Sequence, residues 1–192
     1  MTYGDALKSW GALCGFPKMQ SGYPEQSLRD VFCEFVNTRV AEAWVASRWT
    51  FAISMLEIAI ETDAIADITD YSAYTPLEAY DKDMRLDDTA RRLRFLREET
   101  RLILPDAKAG QTVYIRVRGP KPSYSDTNLT ATIPDAFGTF LVRGAHADWL
   151  RSQNRGDEAD TAEGFARSAL ENEIYENERN QSYQPAVQFG RL

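Results

Sequence analysis

The sequence predicts a helix-dominant α+β fold: a helical bundle with a small inserted antiparallel β region and an extended C-terminal tail. Apolar residues recur at spacings of three and four toward both ends of the chain, the repeat of an α-helix, and at a spacing of two in the middle, the repeat of a strand. The length of 192 residues, 43% hydrophobic and 27% charged, suits one domain that buries a real core. The expected boundaries are a single bundle domain over 1–182, with the β insertion at about 53–118, and a tail over 183–192.

The first helix is predicted from Ala6, Leu7, Trp10, Leu13 and Cys14, and it stops at Gly15-Phe16-Pro17. The second is stronger: Ser27 is the expected N-cap, with Asp30 in the capping-box position. Leu28, Val31, Phe32, Phe35, Val36, Val40, Ala43 and Trp44 then form one apolar stripe, which fails near Arg48-Trp49-Thr50.

In the middle, Leu56, Ile58 and Ile60 alternate with Glu57, Ala59 and Glu61. Leu93 and Phe95 alternate less cleanly, and Leu102 to Leu104 is a short apolar run ended by Pro105-Asp106. Val113, Ile115 and Val117 alternate with Tyr114, Arg116 and Arg118, the clearest strand of all, and Pro105 to Gln111 is the expected hairpin connection into it. Between Asp63 and Asp88 the pattern supports one or two short strands, around Ile68 and over Leu77 to Tyr80. Gly119-Pro120-Lys121-Pro122 closes the region.

Helix then returns. Pro134 suits a first helical position, where its missing N–H costs nothing. Phe137, Phe140, Leu141, Gly144, Ala145, Asp148 and Trp149 follow at helical spacing, Asn154-Arg155-Gly156 breaks the helix, and Asp157 is the expected cap of the next. Ala162, Phe165, Ala166, Ala169, Leu170 and Ile174 form that helix's stripe, so the two should pack as an antiparallel hairpin with Val31, Phe35, Phe140 and Phe165 in the core. After Glu178 the pattern fades into a tail.

The net charge of −7 comes from 22 basic and 29 acidic residues, which argues against a sequence-independent grip on nucleic acid over the whole surface. The charge is banded. Glu57 to Asp83 has eight acids and one lysine (net −7), Arg85 to Arg118 nine bases and five acids (net +4), and Arg151 to Gln181 eight acids and four arginines (net −4). Acidic and basic bands can complement one another between copies set side by side. On the clearest strand Tyr114, Arg116 and Arg118 share one face, a strip expected to meet acids of a neighbouring subunit; the other reading is an edge strand protected by charge. No run approaches the ~20 apolar residues of a membrane span. Met1 to Asp5 lacks the basic and apolar regions of a leader, so Cys14 and Cys33 are expected as reduced thiols.

Candidates for chemistry are few. The single histidine, His146, lies in an apolar-striped helix and cannot supply a multi-histidine metal site. The cysteines lack CxxC spacing, and the glycines make no phosphate cradle. Asp81-Lys82-Asp83, Asp87-Asp88 and Glu171-Asn172-Glu173 are read as solvated surface; the last two acids stand about 200° apart on an ideal helix. No catalytic, cofactor-binding or metal residue is predicted.

Several segments, taken in order, carry a resemblance. Phe35-Val36-Asn37-Thr38-Arg39 leads to Ala43-Trp44 and Arg48-Trp49-Thr50-Phe51, a helix closing in a tryptophan-rich corner. Val113 to Arg118 leads to a proline-containing loop; Ile133-Pro134-Asp135-Ala136-Phe137 opens a helix running through Leu141-Val142 and Ala145 to Leu150; Ala169 to Glu173 lies on a second helix, and a glutamine-bearing tail follows. In this order the chain, from about Ser27 onward, resembles the head–tail adaptor (connector) proteins of tailed bacteriophages, including the tail tubular protein A type of short-tailed phages. The resemblance does not cover the N-terminal segment or Asp63 to Asp88.

The resemblance implies a structural virion protein and not an enzyme. Such proteins assemble in the host cytoplasm and form a ring, usually of twelve copies, beneath the portal at the head–tail interface. They extend the DNA ejection channel and dock the tail. The implied partners are the portal protein, further copies of the chain, and a tail, nozzle or terminator protein. DNA passes only as cargo, which an acidic lumen would not retain, and no membrane or cofactor is involved. Portal contact in this family commonly uses the C-terminal tail, here Tyr183, Pro185, Val187, Phe189, Arg191 and Leu192. The physical reading agrees, because alternating large side chains can lay apolar anchors on a neighbour. Two other classes stay open on the residues alone: a cytoplasmic protein-binding or scaffold module, and a carboxylate-dependent hydrolase.

Overall fold

The computed structural model describes residues 1–17, 22–60 and 64–182. The chain divides into two compact units. One is made of Met1–Trp49 and the stretch from Lys121 to the end of the last helix; the other is Thr50–Pro120. All the long helices lie in the first, and the sheets lie in the second.

In the helical unit, α1 spans Tyr3–Leu13. Thr2 opens it, its hydroxyl oxygen accepting from the Asp5 amide at 3.1 Å, a partner for one of the unpaired N–H groups of the first turn. Tyr3, Ala6, Leu7 and Trp10 form its buried side, and Gly15 ends it at φ +73°, a conformation that suits glycine. Helix α2 spans Gln26–Ala46 and buries Phe32, Val36, Val40 and Ala43, with Val31 and Phe35 half-buried at the margins of the stripe.

The expected capping box at Ser27 and Asp30 does not form. The helix starts before Ser27, and Glu25 holds the cap position without a side-chain cap bond. Ser27 donates to Glu25 at 2.7 Å, and Asp30 accepts from the Gln26 side chain at 2.9 Å, so both are occupied locally.

Helix α3 (Asp135–Ser152) begins one residue later than expected, because Pro134 is extended at ψ 136° and serves as the cap. Helix α4 (Gly156–Ser182) starts two residues earlier than a cap at Asp157 implies, which places Asp157 in its first turn. Asn154, at φ +59°, turns the chain between them, a left-handed geometry that asparagine tolerates. The hairpin is antiparallel as expected: Arg151 of α3 reaches both Asp160 (3.5 Å) and Glu163 (3.3 Å) of α4.

The aromatic centre of this unit is contiguous. Trp10 meets Phe32, Phe16 and Trp149 at 5.0, 5.1 and 6.0 Å between ring centroids, and Tyr3 stacks on Tyr124 at 5.6 Å. Such ring pairs add to what their buried area supplies.

The strand unit contains β1 (Ile53–Ala59), β2 (Ile65–Asp67), β3 (Thr75–Tyr80), β4 (Arg92–Leu93), β5 (Leu96–Glu98), β6 (Arg101–Ile103) and β7 (Thr112–Arg118). They form two antiparallel sheets, ordered β1-β7-β3-β4 and β2-β6-β5. Val113, Ile115, Val117, Ala79 and Leu93 of the first sheet share one buried cluster with Ala66 and Leu102 of the second. The register of β3 against β7 shifts between Pro76 and Glu78, a bulge where a proline without an N–H is tolerated.

Two expectations are corrected here. The fold is α+β but not a helical bundle: among the described residues, four α-helices stand beside seven strands in two sheets, and the strands own a separate core. Most of those strands are only two or three residues long, too short to show a period. Pro105 to Gln111 is not a hairpin connection, because β6 and β7 lie in different sheets; β6 instead folds back on β5 through a turn at Glu99, φ +49°.

Candidate functional site

Strand β7 presents Tyr114, Arg116 and Arg118 to one face, while Val113, Ile115 and Val117 are buried on the other, the division that its alternation predicts. The strand is not an edge, since β1 and β3 flank it. Arg116 stands opposite Met55 on β1 and Glu78 on β3, and its guanidinium donates to Glu78 at 3.1 Å. Arg92 approaches the same carboxylate at 3.7 Å. Tyr114 lies between Glu57 and Tyr80, and Arg118 between Ile53 and Thr75. Burial, then the neighbouring Glu78 carboxylate, raises the Tyr80 hydroxyl above its ordinary value. The strip is thus a half-buried row on the sheet face opposite the buried cluster, with Arg116 engaged by an acid of its own chain. The predicted portal contacts Tyr183, Pro185, Val187, Phe189, Arg191 and Leu192 lie outside the described residues.

The residues weighed for chemistry stay apart. His146 is half-buried on α3, its Nδ1 buried without a hydrogen-bond partner; burial, then Arg143 and Arg155, pulls its pKa down, so it is neutral at pH 7. Cys14 and Cys33 are both free thiols; burial pushes Cys14 up to about 12, and Cys33 donates to the Tyr124 carbonyl at 3.3 Å. Among the described residues no three His, Cys, Asp or Glu side chains gather to hold a metal ion.

The acids of the 81–88 loop close that loop. Asp81 accepts from the Arg91 amide at 2.6 Å, and Asp83 from Arg85. Asp87 accepts from Lys82 and from the Thr89 amide, both at 2.8 Å, and these bonds, with that from the Thr89 hydroxyl, hold it down at about 2.

The most heavily bonded cluster is one that the sequence analysis left unassigned. Arg39, 5% exposed, lies in the apolar stripe of α2 and joins three helices. Its Nε and Nη2 form a fork to the Asp148 carboxylate of α3, at 2.9 and 2.7 Å. Its Nη1 and Nη2 form a second fork to Glu163 of α4, at 3.0 and 2.6 Å, and Nη1 also reaches Glu42 at 3.2 Å. Arg151 and Arg167 contact Glu163 at 3.3 and 3.0 Å.

A planar guanidinium fits two carboxylates in this way, and pairing is what makes burial of these charges tolerable. Burial alone would raise Glu163, but the bonds and charges of Arg39, then Arg151 and Arg167, outweigh it and hold the carboxyl below its ordinary value. A guanidinium that stays protonated and a carboxylate held ionised have no proton to exchange near neutral pH. The cluster therefore positions helices and does not perform acid–base work.

The sequence does contain a pointer to this cluster. Arg39 falls at helical spacing between Val36 and Ala43, and Glu163 between Ala159 and Ala166, so each charge sits where an apolar residue belongs.

A second polar contact ties the loop after the sheets to α2. The Asn37 side chain accepts from the Tyr124 amide at 2.9 Å and donates to the Tyr124 carbonyl at 2.9 Å, serving the backbone as a strand partner would. At the tryptophan corner, Trp49 is buried, donates to the Ala43 carbonyl at 2.7 Å, and meets Phe137 edge-on at 5.0 Å. No family model matches the chain, and neither does any curated protein.

Proposed function

We propose that the chain is a structural virion protein of a tailed bacteriophage: a head–tail adaptor that forms a ring beneath the portal, extends the DNA channel and docks the tail. The observation that carries this reading is the meeting in one unit of segments that bear the adaptor resemblance. Arg39 of the first segment grips Asp148 of the α3 segment, and Trp49 of the tryptophan corner packs on Phe137 of the Ile133–Phe137 segment. These residues are distant in sequence, yet both pairs pack within the helical unit, while the Val113 to Arg118 segment lies in the strand unit.

On this reading Tyr114, Arg116 and Arg118 face a neighbouring copy, residues 183–192 reach the portal, and further partners are the tail or nozzle protein and passing DNA. The test is sedimentation and negative-stain microscopy of the full chain, alone and mixed with a candidate portal ring. The expected result is a closed ring, of about twelve copies, stacked coaxially on the portal. A chain that stays monomeric at every concentration and with the portal present would overturn the reading.

A further inference from the structure

The two halves of α4 are held by different means. The first half buries Ala159, Ala162, Ala166 and Leu170 and carries Glu163 to Arg39. After Leu170 the apolar stripe runs out: every residue from Glu171 to Asn180 is exposed except Ile174, half-buried, and Asn177, buried. Asn177 donates through its side-chain amide to the Ser47 hydroxyl at 2.9 Å and to the Arg48 carbonyl at 3.1 Å, in the segment that leaves α2.

We propose that Glu171 to Ser182, the last three turns of α4, form a strap that opens and recloses while the rest of the helical unit stays folded, with Asn177 as its latch. The proposal stands whether or not the chain forms a ring. Opening from a helix end requires no new nucleation on reclosing, and segments with little apolar burial form the low-stability end of a fold. The stopping point is set by charge. Releasing Asn177 leaves neutral groups that water can satisfy, whereas releasing Glu163 would take a carboxylate from a buried guanidinium, a far larger cost. Opening therefore halts near Leu170. Closed, the strap fixes the end of α4 at Ser182; open, its twelve unwound residues let that end range over up to about 40 Å of extended chain.

The test is amide hydrogen exchange on the full chain, followed residue by residue. Residues 173–180 should exchange through local opening, faster than 159–166 on α4 and 137–150 on α3. Asn177→Ala should speed exchange over 173–180 by about tenfold, the effect of one or two hydrogen bonds, and leave 137–150 and 159–166 unchanged. Ser47→Ala, which removes one partner and leaves Asn177 in place, should act on the same residues to a smaller extent, and it serves as the reporter should Asn177→Ala fail to fold. Equal exchange along the whole of α4, with both halves shifting together in either variant, would mean that the helix opens as one piece and would overturn the strap, as would a Ser47→Ala protein that exchanges over 173–180 like the parent.

Discussion

Gly144 lies directly beneath the guanidinium of Arg39: a β-carbon at that position would meet Nε at 3.0 Å and Cδ at 3.1 Å. Arg39 cannot retreat, since Asp148 and Glu163 hold it on two sides at 2.6 to 3.0 Å. In an exposed helix interior, glycine to alanine adds up to about 1 kcal/mol of stability. Here the sign should reverse. Gly144→Ala is expected to cost about 1–3 kcal/mol, as overpacked cores do, measured by urea unfolding. A stabilised variant would show that the guanidinium is free to move.

Removing the guanidinium should be worse. Arg39→Ala leaves Asp148 and Glu163 without their buried cation, with only the more exposed Arg151 between them, an expected loss of about 3–5 kcal/mol. Glu163→Gln keeps an acceptor of the same shape and should cost less, about 1–3 kcal/mol. Urea unfolding of both variants and of their combination would give the coupling between the two sites. Additive losses would mean that they do not act as one cluster.

The pH dependence follows from Glu163. Its folded-state value is depressed, so its ionised form stabilises the fold above the unfolded-state value of about 4.3, and this contribution is lost as pH falls through the folded value. Stability from chemical denaturation should be flat between about pH 5 and 7 and fall below about 4.3. Glu163→Gln should flatten the fall. An unchanged slope in that variant would assign the acid sensitivity to other carboxylates.

Phe165 was expected in the core and is 60% exposed, with Arg143 over its ring at 5.7 Å. Phe165→Ala should therefore cost under about 1 kcal/mol in the isolated protein, the range of an exposed cation–π contact. A core residue of that size would cost about 3–5 kcal/mol.

Helical spacing alone could not separate Phe165 from Ala166, one position further round α4. The side that buries is the one that carries Glu163 to Arg39 of α2 and Arg151 of α3, partners more than a hundred residues away or across a turn. The strong patterns were legible: α2, α3, their hairpin partner α4, and β7. What stayed hidden depended on pairing. Arg92 to Glu98 reads as one ragged run but is two strands in two sheets, and the turn at Glu99 has no glycine or asparagine to announce it. Tyr114, Arg116 and Arg118 were correctly placed on one face, yet the pairing of Arg116 with Glu78 needed the register of β3, which the bulge at Pro76 obscures.

That pairing shapes how the strip can be tested. Reversing Arg116 alone would set two acids face to face inside one subunit. Exchanging the pair, Arg116→Glu with Glu78→Arg, keeps the internal bond and moves the positive charge from β7 to β3. The swapped protein should unfold within about 1–2 kcal/mol of the parent, since the pair, about a quarter exposed on each side, is kept and only its contact with the exposed Arg92 is lost. If the strip meets an acidic neighbour, the swap should weaken ring assembly and its salt dependence, read by sedimentation at low and high salt. Unchanged assembly would confine Arg116 to its own sheet.

The strand order β1-β7-β3-β4 gives the molecule a direction in time. On a ribosome, β1 emerges early and has no strand to join, and β3 can pair only with the two-residue β4, because the strand that lies between β1 and β3 is the last of the seven. Arg39 likewise emerges more than a hundred residues ahead of Asp148 and Glu163. Each unit is closed by its latest-made piece, so a nascent chain cut before Thr112 lacks both the strand that joins β1 to β3 and a filled Arg39 cluster. Long-range closure of this kind slows folding and leaves apolar strands waiting. For this chain, the strand unit should acquire its structure only once Arg118 has emerged, and the helical unit only once Glu163 has.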